Sequence, residues 1–208
     1  MIQRRPDGNW ADIRSAPSTH PRPCLFLDRD GVLIEERHYL KDPNLVSIMP
    51  GAVATLAAAA AKGWARAVVT NQSGIARGLI SWDEFEAVEA RVARLLGQAG
   101  VGVDAVLACP YHADGVAPYD RDDEWRKPGA GMLREAAAAL NLDLSRSLMM
   151  GDRLTDIEAA DAASLAFGVH VLTGYGAEER ENVRHRQFRL MLCEAQSIAD
   201  GPAILADI

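Results

Sequence analysis

Cysteine, net positive charge and long apolar segments are all scarce in this chain of 208 residues. The three cysteines, Cys24, Cys109 and Cys193, are odd in number, and two of them lie in apolar runs. We therefore expect free thiols in a reducing, cytoplasmic location rather than a disulfide framework. No apolar run approaches the roughly 20 residues that a membrane-spanning helix needs, and none follows the basic first residues, so we expect neither a membrane partner nor a secretory signal.

The charge balance narrows the class of ligand. The formal net charge is −7 and the pI is about 5.2, whereas proteins that bind nucleic acid usually present a basic face. We therefore expect no nucleic-acid partner. A small anionic ligand remains compatible with this balance, because a divalent cation and a few basic side chains can reverse the local field. The phosphate-binding motif GxxxxGK[ST] is also missing, which argues against a nucleotide-binding protein of that type.

Short apolar runs alternate with helical patterns along most of the chain. Strands are predicted at 24–27, 65–70, 105–109, 147–150, 165–172 and 189–193, and helices at 51–62, 81–97, 129–140, 153–163 and 202–207. This alternation predicts an α/β fold with a doubly wound, mainly parallel sheet. The length suits one domain, which we assign to residues 23–208. Residues 1–22, rich in proline and polar groups, are expected to form an N-terminal extension that packs over the domain or is partly mobile.

Four polar segments coincide with the predicted strand ends or helix starts: DRDG at 28–31, TNQSG at 70–74, RKP at 126–128 and GDRLTD at 151–156. Ligands of such open sheets bind at the carboxyl ends of the strands. Each segment alone has an ordinary structural interpretation, as a solvated turn or an acidic first turn of a helix. Together they supply a pair of acids, a hydroxyl, a lysine and a third acid. This set is typical of phosphoryl transfer through an aspartyl-phosphate.

The same segments resemble the four motifs of the haloacid dehalogenase-like (HAD-like) phosphatases. The stretches DRDGVL, TNQSGIARG and RKPGAGM are most similar to those of the D-glycero-D-manno-heptose-1,7-bisphosphate 7-phosphatases and their histidinol-phosphatase relatives. The resemblance runs from about residue 23 to the C-terminus. It implies a Rossmann-like sheet. The intervals between the motifs leave room for helices and one strand but not for a large cap domain.

The resemblance implies a magnesium-dependent phosphatase acting on a small phosphorylated metabolite. Asp28 would attack the phosphorus, and Asp30 would act as general acid and then as general base. Magnesium would be held by the Asp28 carboxylate, the Asp30 backbone carbonyl and Asp152. Thr70 and Lys127 would hold the phosphoryl oxygens. The first substrate expected is D-glycero-D-manno-heptose 1,7-bisphosphate, hydrolysed at the 7-phosphate; histidinol phosphate or another polyol or sugar phosphate is the alternative.

Further residues are expected to contact the rest of the substrate. The resemblance assigns this role to Asn71, Arg126 and Arg153, and the two arginines could hold a second phosphate. His38 belongs to the loop at 35–45 and is a further candidate, although an exposed loop histidine can equally have no role. Without a cap, this loop and the loop at 110–126 would set selectivity. We expect a monomer or a weak homo-oligomer.

A phosphoaspartate signalling domain of the receiver type is the alternative from a different class. It also uses a doubly wound sheet with clustered acids, a threonine and a lysine. Its acceptor aspartate, however, lies on a middle strand. Here the third predicted strand ends in Cys109-Pro110, which offers no acceptor, so the sequence favours the phosphatase.

Many of the similar phosphatases carry a structural zinc, bound by Cys-x-His and Cys-x-Cys, in the loop before Arg-Lys-Pro. Here Cys109 remains, but Tyr111, Asp123 and Trp125 stand at the other ligand positions and His112 is displaced by one residue. The loop would then be held by packing of Tyr111, Tyr119 and Trp125, unless these aromatic residues line the substrate entrance.

We predict that the purified protein contains no stoichiometric zinc, because a closed zinc site needs about four nitrogen or sulfur ligands and this loop offers two. Elemental analysis of the purified chain tests this directly. One zinc ion per chain would contradict the prediction.

Overall fold

Eight strands form one sheet in a computed structural model that describes residues 2–208. The strands are β1 (Ile2–Arg4), β2 (Trp10–Ile13), β3 (Cys24–Leu27), β4 (Ala65–Asn71), β5 (Ala105–Cys109), β6 (Leu148–Gly151), β7 (Phe167–Val171) and β8 (Met191–Ala195). Their order across the sheet is β1-β2-β5-β4-β3-β6-β7-β8. Strands β3 to β8 are parallel, while β1 and β2 join one edge in antiparallel pairs.

Seven helices accompany the strands in the described residues. They are α1 (Ala52–Ala61), α2 (Ser73–Ala76), α3 (Trp82–Gln98), α4 (Gly131–Leu140), α5 (Leu154–Ala162), α6 (Gly176–Arg184) and α7 (Gly201–Asp207). Two hydrophobic cores cover the two faces of the sheet, one containing residues of α1, α3 and α7 and the other residues of α4 and α5. The central strands are buried from both sides, which explains why they are continuous apolar runs. The predicted doubly wound α/β fold is confirmed.

Strand β3 lies at the centre and sets the position of the acids that follow it. Leu27, its last residue, is paired with Val68 of β4 on one side and Met150 of β6 on the other. The Asp28 backbone N–H then donates to Met150 O at 3.0 Å. Because the chain leaves β3 towards β4 and returns to β6 on the opposite side, Asp28 lies at the switch point of the topology, where open α/β sheets form a crevice.

Helix α3 begins where the sequence indicates. The Ser81 side chain accepts from the Glu84 backbone N–H at 3.2 Å, and the Glu84 carboxylate accepts from the Ser81 N–H at 2.8 Å. This reciprocal capping satisfies two N–H groups that a helix start otherwise leaves without a partner. The helix buries Phe85, Val88 and Val92 against the sheet, so its register is decided by an apolar face.

The first thirteen residues differ from expectation. Strand β2 pairs with β5, so residues 2–4 and 10–13 extend the sheet rather than lying over it. The two strands contain only three and four residues, and the β5 residues that pair with β2 are more than 90 positions away along the chain, so no local pattern identifies them. Helices α2 and α6 were also not predicted. The division into an extension and a domain at residue 23 remains a prediction.

The loop at 110–126 is held by the turn between β1 and β2. The Tyr111 hydroxyl donates to Asp7 O, and Asn9 Nδ2 donates to the Asp123 carboxylate at 3.3 Å. The Arg5 guanidinium lies 5.0 Å from the centroid of the Trp125 ring. The three residues at the expected zinc-ligand positions therefore all contact the N-terminal segment, and their side chains pack instead of facing the substrate entrance.

No separate cap domain occurs within residues 2–208. The chain between β3 and α1 is a loop with one short 3-10 helix (Pro43–Leu45), and α2 and α3 fill the interval between β4 and β5. In the same residues, no helix combines the length and the apolar character that crossing a membrane requires. The carboxyl ends of the central strands are therefore covered only by loops and helix termini.

Candidate active site

Four sequence-predicted residues meet at the carboxyl ends of the central strands. Asp28 follows β3 directly, Thr70 lies near the end of β4, and Asp152 follows β6. Lys127 arrives from the loop before α4, and its backbone is clamped by the Asn71 side chain of β4. Asn71 Nδ2 donates to Lys127 O at 2.9 Å, and the Lys127 N–H donates to Asn71 Oδ1 at 3.0 Å. Asn71, predicted to contact substrate, thus also positions the lysine.

The Lys127 ammonium group is buried among negative groups. Its Nζ lies 2.6 Å from Asp28 Oδ1 and 2.6 Å from Asp156 Oδ1, and it donates to Val69 O at 2.8 Å. These contacts use all three of its protons. Burial alone would lower the pKa of Lys127, but Asp156 and Asp28 outweigh burial and raise the pKa above its usual value. Lys127 is therefore a permanent positive charge beside Asp28.

Three buried acids lie close enough to share a metal ion. Ligand oxygens of Asp28, Asp152 and Asp156 all lie within 4.8 Å of one another. Burial, reinforced by Asp156, raises the pKa of Asp28 to about 7 despite the Lys127 charge. Burial and the charge of Asp28 raise the pKa of Asp152 to about 8. The carboxylates therefore repel one another, and a divalent cation would relieve this repulsion.

Asp152 has the features of a metal ligand. It is fully buried, and its Oδ2 accepts from the Tyr175 N–H at 2.7 Å, while its Oδ1 has no hydrogen-bond partner. A buried carboxylate oxygen without a partner is costly unless a cation binds it. Both oxygens of Asp156 are engaged, by Lys127 and by the Arg153 N–H at 2.9 Å. The residues thus fit a hard cation such as Mg²⁺, with Asp152 the acid most available to it.

Two glycines leave space for Asp152. A Cβ atom at Gly31 would lie 2.6 Å from Asp152 Oδ2, and the Gly31 φ of 81° is a conformation that glycine adopts without strain. Gly174, with a φ of 57°, approaches the same carboxylate from the loop after β7. The glycine of DRDG is therefore required both for the turn and for the close approach of Asp152.

Asp30 is held differently from Asp28. Its carboxylate accepts from Arg29 Nε at 3.0 Å and from Arg29 Nη2 at 3.1 Å, which is a bidentate pair. Gln72 Nε2 donates to Asp30 Oδ2 at 3.1 Å and also to Thr70 Oγ1 at 2.9 Å. One amide nitrogen therefore connects the two residues. Asp30 is therefore held by Arg29 and Gln72, whereas Asp28 contacts Lys127, although only one residue separates the two acids in sequence.

An open cleft beside these residues offers room for a substrate. Its lining includes Asp30 and Asn71 from the strand ends, His38 and Tyr39 from the loop after β3, and Arg153 and Tyr175. The loop at 35–45 thus lines the cleft, as expected. In the part of the chain that the structure describes, the loop at 110–126 contributes no lining residue. Tyr111 and Trp125 contact the N-terminal segment, and Tyr119 packs against Trp82 of α3.

Arg153, Tyr175 and His38 form a connected wall of this cleft. The Arg153 guanidinium carbon lies 3.7 Å from the centroid of the Tyr175 ring. The Tyr175 hydroxyl and His38 Nδ1 lie 2.8 Å apart in a hydrogen bond. Stacking on the ring restrains the guanidinium, and a planar guanidinium held in this way can bind an anion through its edge.

Arg126 is not part of this wall. Its Nη1 donates to Tyr111 O at 3.0 Å, and it does not line the cleft within residues 2–208. Burial lowers the pKa of Arg126, and the neighbouring charges of Arg77 and Arg153 lower it further, while Asp122 raises it. The three arginines are therefore close enough to influence one another, and Asp122 offsets part of their charge.

Three residues of this network are not predicted by the sequence. Gln72 lies inside TNQSG, but its bridging role depends on the side-chain geometry. Glu89, which pairs with Arg29 at 2.9 Å, could have been noticed as a carboxylate on the apolar face of α3. Tyr175 carries no signal in the sequence, because its ring and its N–H reach the site only after β7 and β6 are paired.

The known proteins that are similar in sequence to this chain are phosphatases of one family. The family model described as HAD-hydrolase-like matches residues 124–194. The D-glycero-beta-D-manno-heptose-1,7-bisphosphate 7-phosphatase of Mesorhizobium japonicum is 49% identical over 147 residues, covering 70% of this chain and 68% of that protein. The enzyme of the same name from Pasteurella multocida is 35% identical over 182 residues, covering 88% of this chain and 96% of that protein.

Solved structures share the same fold. A protein from Mesorhizobium loti has a TM-score of 0.82 at 38% identity, covering 95% of this chain and 91% of its own. The D,D-heptose 1,7-bisphosphate phosphatase from B. bronchiseptica, complexed with magnesium and phosphate, has a TM-score of 0.74 at 29% identity. That alignment covers 89% of this chain and 98% of the other. The structural similarity therefore extends over most of the chain.

We predict that Mg²⁺ raises the melting temperature, and more at pH 8 than at pH 6. In the metal-free folded protein the pKa values of Asp28 and Asp152 are about 7 and about 8, whereas an aspartate in an unfolded chain ionises near pH ~4. The folded state therefore binds more protons than the unfolded state in this window, so its stability falls as pH rises from about 4 to about 8. Mg²⁺ competes with those protons and should bind better as they leave.

Thermal melts with and without Mg²⁺ at the two pH values measure the effect. Asp152→Asn serves as the control, since it removes a charged ligand and should abolish most of the rise in melting temperature that Mg²⁺ causes. An increment that is equal at both pH values, or larger at pH 6, would show that these carboxylates do not bind the ion.

Proposed function

Because this chain belongs to the heptose-bisphosphate phosphatase family of HAD-like hydrolases, we propose that it is a magnesium-dependent phosphatase of a small sugar phosphate. The observation that carries the proposal is the buried Lys127 ammonium, 2.6 Å from the Asp28 carboxylate at the edge of the three-acid cluster. One edge of the sheet thus carries a candidate nucleophile, a fixed cation beside it and a set of candidate metal ligands. The relative from B. bronchiseptica, solved with magnesium and phosphate, supports the same chemistry.

We propose that Asp28 is the nucleophile. A carboxylate oxygen of Asp28 attacks the phosphorus, the bond between phosphorus and the ester oxygen breaks, and the phosphoryl group is transferred to Asp28. Asp30 gives its proton to the departing alcohol oxygen. The bidentate contact with Arg29 and the contact with Gln72 hold the Asp30 side chain at the cleft, where a leaving group would lie.

The second step regenerates the enzyme. The Asp30 carboxylate accepts a proton from a water molecule, and the resulting hydroxide attacks the phosphorus of the aspartyl-phosphate. The acyl phosphate bond breaks, inorganic phosphate is released and the Asp28 carboxylate is restored. Asp30 therefore returns to its protonated form, and one general acid–base group serves both steps.

Charge compensation comes from the residues around Asp28. Thr70 would hold a phosphoryl oxygen during transfer, and Lys127 would exchange its contact with Asp28 for one with a phosphoryl oxygen, while Asp156 keeps the lysine in place through its contact at 2.6 Å. Magnesium, held by Asp28, Asp152 and the Asp30 backbone carbonyl, would supply the positive charge that brings a dianionic phosphate to a cluster of carboxylates. Burial of the acids strengthens each of these interactions.

We propose D-glycero-β-D-manno-heptose 1,7-bisphosphate, hydrolysed at the 7-phosphate, as the substrate. The names of the relatives support this choice. So does the positive wall of the cleft, where Arg153 is stacked on Tyr175 and lies near the charge of Arg126. A substrate with two phosphates would place one at Lys127 and the other at this wall. The free thiols of the chain are compatible with action in the cytoplasm.

We expect rapid Mg²⁺-dependent phosphate release from heptose 1,7-bisphosphate, and much slower release from fructose 1,6-bisphosphate, histidinol phosphate and p-nitrophenyl phosphate. Asp28→Asn should abolish turnover of all four, because an amide does not attack phosphorus, and EDTA should do the same. Full activity of Asp28→Asn would overturn the covalent mechanism. If another member of the panel is the best substrate and both controls still abolish turnover, only the assignment to the heptose falls.

We expect Arg153→Ala to raise the KM for heptose 1,7-bisphosphate about tenfold and to change the KM for p-nitrophenyl phosphate little. A charge-assisted hydrogen bond to a second phosphate contributes roughly 1.5–3 kcal/mol, and about 1.4 kcal/mol is a factor of ten. Steady-state kinetics on both substrates measures the difference. Arg146→Ala is the matched control, since Arg146 is exposed and lies before β6, at the opposite end of the strand from the site. An equal rise for both substrates would mean that Arg153 does not bind the second phosphate.

A further inference from the structure

A buried carboxylate lies in an unexpected place on α3. Glu89 has 4% of its surface exposed and belongs to the apolar face that also contains Phe85, Val88 and Val92. Removing a carboxylate from water costs several kcal/mol unless a partner compensates it. An apolar residue would pack at this position without that cost. The presence of a charge at this position therefore calls for a role besides packing.

The partner of Glu89 is Arg29, which stands between the two acids of DRDG. Arg29 Nη1 donates to Glu89 Oε1 at 2.9 Å, and the guanidinium carbon lies 5.2 Å from the centroid of the Phe85 ring. Only 1% of Arg29 is exposed. Burial opposes its charge, but Asp30 and Glu89 outweigh burial and raise the pKa of Arg29. The guanidinium is thus a fixed, planar cation within the core.

The two carboxylates occupy different parts of this one planar group. Glu89 accepts from Nη1, whereas Asp30 accepts from Nε and Nη2 at 3.0 and 3.1 Å. Since a guanidinium is rigid and flat, fixing one edge determines the direction of the other. Gln72 gives Asp30 one additional contact at 3.1 Å, but a single amide hydrogen bond leaves the carboxylate free to rotate. The orientation of Asp30 therefore depends on Arg29, and that of Arg29 on Glu89.

We propose that Glu89 is a positioning residue for Asp30, acting through Arg29, so that the proton of Asp30 is delivered to the leaving oxygen. The inference rests on the proposed phosphatase function, because it assigns a purpose to the geometry of the general acid. Within the described residues, Arg29 and Asp30 line the cleft and Glu89 does not, so Glu89 has no route to the substrate except through the arginine.

This role differs from a merely structural one in its dependence on the leaving group. A sugar alcohol leaves as a poor, basic oxygen and needs the proton of Asp30 during phosphoryl transfer. A p-nitrophenolate ion is stable without a proton and needs little help. Since kcat/KM reports on events up to the first irreversible step, misplacement of Asp30 should lower kcat/KM for a sugar phosphate and spare that for p-nitrophenyl phosphate. A general loss of structure would lower both.

Glu89→Met is the test variant, because methionine has a similar size and cannot accept the hydrogen bond from Arg29. We expect kcat/KM for the best sugar phosphate of the panel to fall about 10- to 100-fold, part of the roughly 10²- to 10⁴-fold that a general acid contributes. We expect the value for p-nitrophenyl phosphate to change less than about threefold. Glu89→Gln keeps an acceptor oxygen in the same place and should restore most of the activity on the sugar phosphate.

Two further variants complete the design. Glu86→Met makes the same substitution three positions earlier on α3. The Glu86 carboxylate pairs with Arg4 at 2.9 Å and not with Arg29, so this variant should leave both activities unchanged. If thermal melts show that Glu89→Met is unfolded, Arg29→Lys replaces it. Lysine keeps the charge but cannot hold both carboxylates in one plane, so the same leaving-group selectivity is expected.

The outcomes separate the two proposals. An equal fall on both substrates, no fall on either, or failure of Glu89→Gln to restore activity would overturn the positioning role while the phosphatase function stands. If the wild-type protein hydrolyses no member of the panel in the presence of Mg²⁺, the proposed function itself is wrong. A selective fall with recovery in Glu89→Gln supports the inference.

Discussion

The compensation of buried negative charge by Lys127 is the interaction on which the rest of the site depends. Three carboxylates lie within 4.8 Å of one another in the interior, an arrangement that repulsion would otherwise disrupt. Lys127 contacts two of these acids at 2.6 Å, and its backbone is clamped by Asn71. One cation does not neutralise three acids, and burial together with the remaining negative charge raises the pKa values of Asp28 and Asp152. The negative charge that Lys127 leaves uncompensated is the physical basis of affinity for a divalent cation.

The sheet supplies the rigidity that this compensation requires. Strands β3, β4 and β6 are parallel neighbours, so the residues that follow them meet at one edge. Asp28 and Asp152 follow strand ends directly and Asp156 lies in the first turn of α5, while Lys127 comes from the loop before α4 and Arg153 from the start of α5. The acids and the cations thus meet at the carboxyl ends of the strands, where open α/β sheets usually bind their ligands.

Two parts of the chain remote from the reacting atoms support the site. The segment between β1 and β2 contacts Tyr111, Asp123 and Trp125, and so orders the loop that leads into Lys127. Helix α3 contributes Glu89, whose contact with Arg29 connects a core helix to Asp30. Both supports use pairings between residues far apart along the chain. The positions of Lys127 and Asp30 therefore depend on the N-terminal segment and on α3 as well as on the central strands.

The sequence by itself determined the fold class, most strand and helix positions and the four polar segments, because hydrophobic periodicity and residues at strand ends are local properties. It also indicated Asp28, Asp30, Thr70, Lys127 and Asp152, which the structure brings together at one edge. Only the tertiary structure decided the pairing of β1 and β2, the availability of Asp152 Oδ1, the stacking of Arg153 on Tyr175 and the contact of Glu89 with Arg29. These features depend on contacts between distant residues and on side-chain direction, which no local pattern in a single sequence encodes.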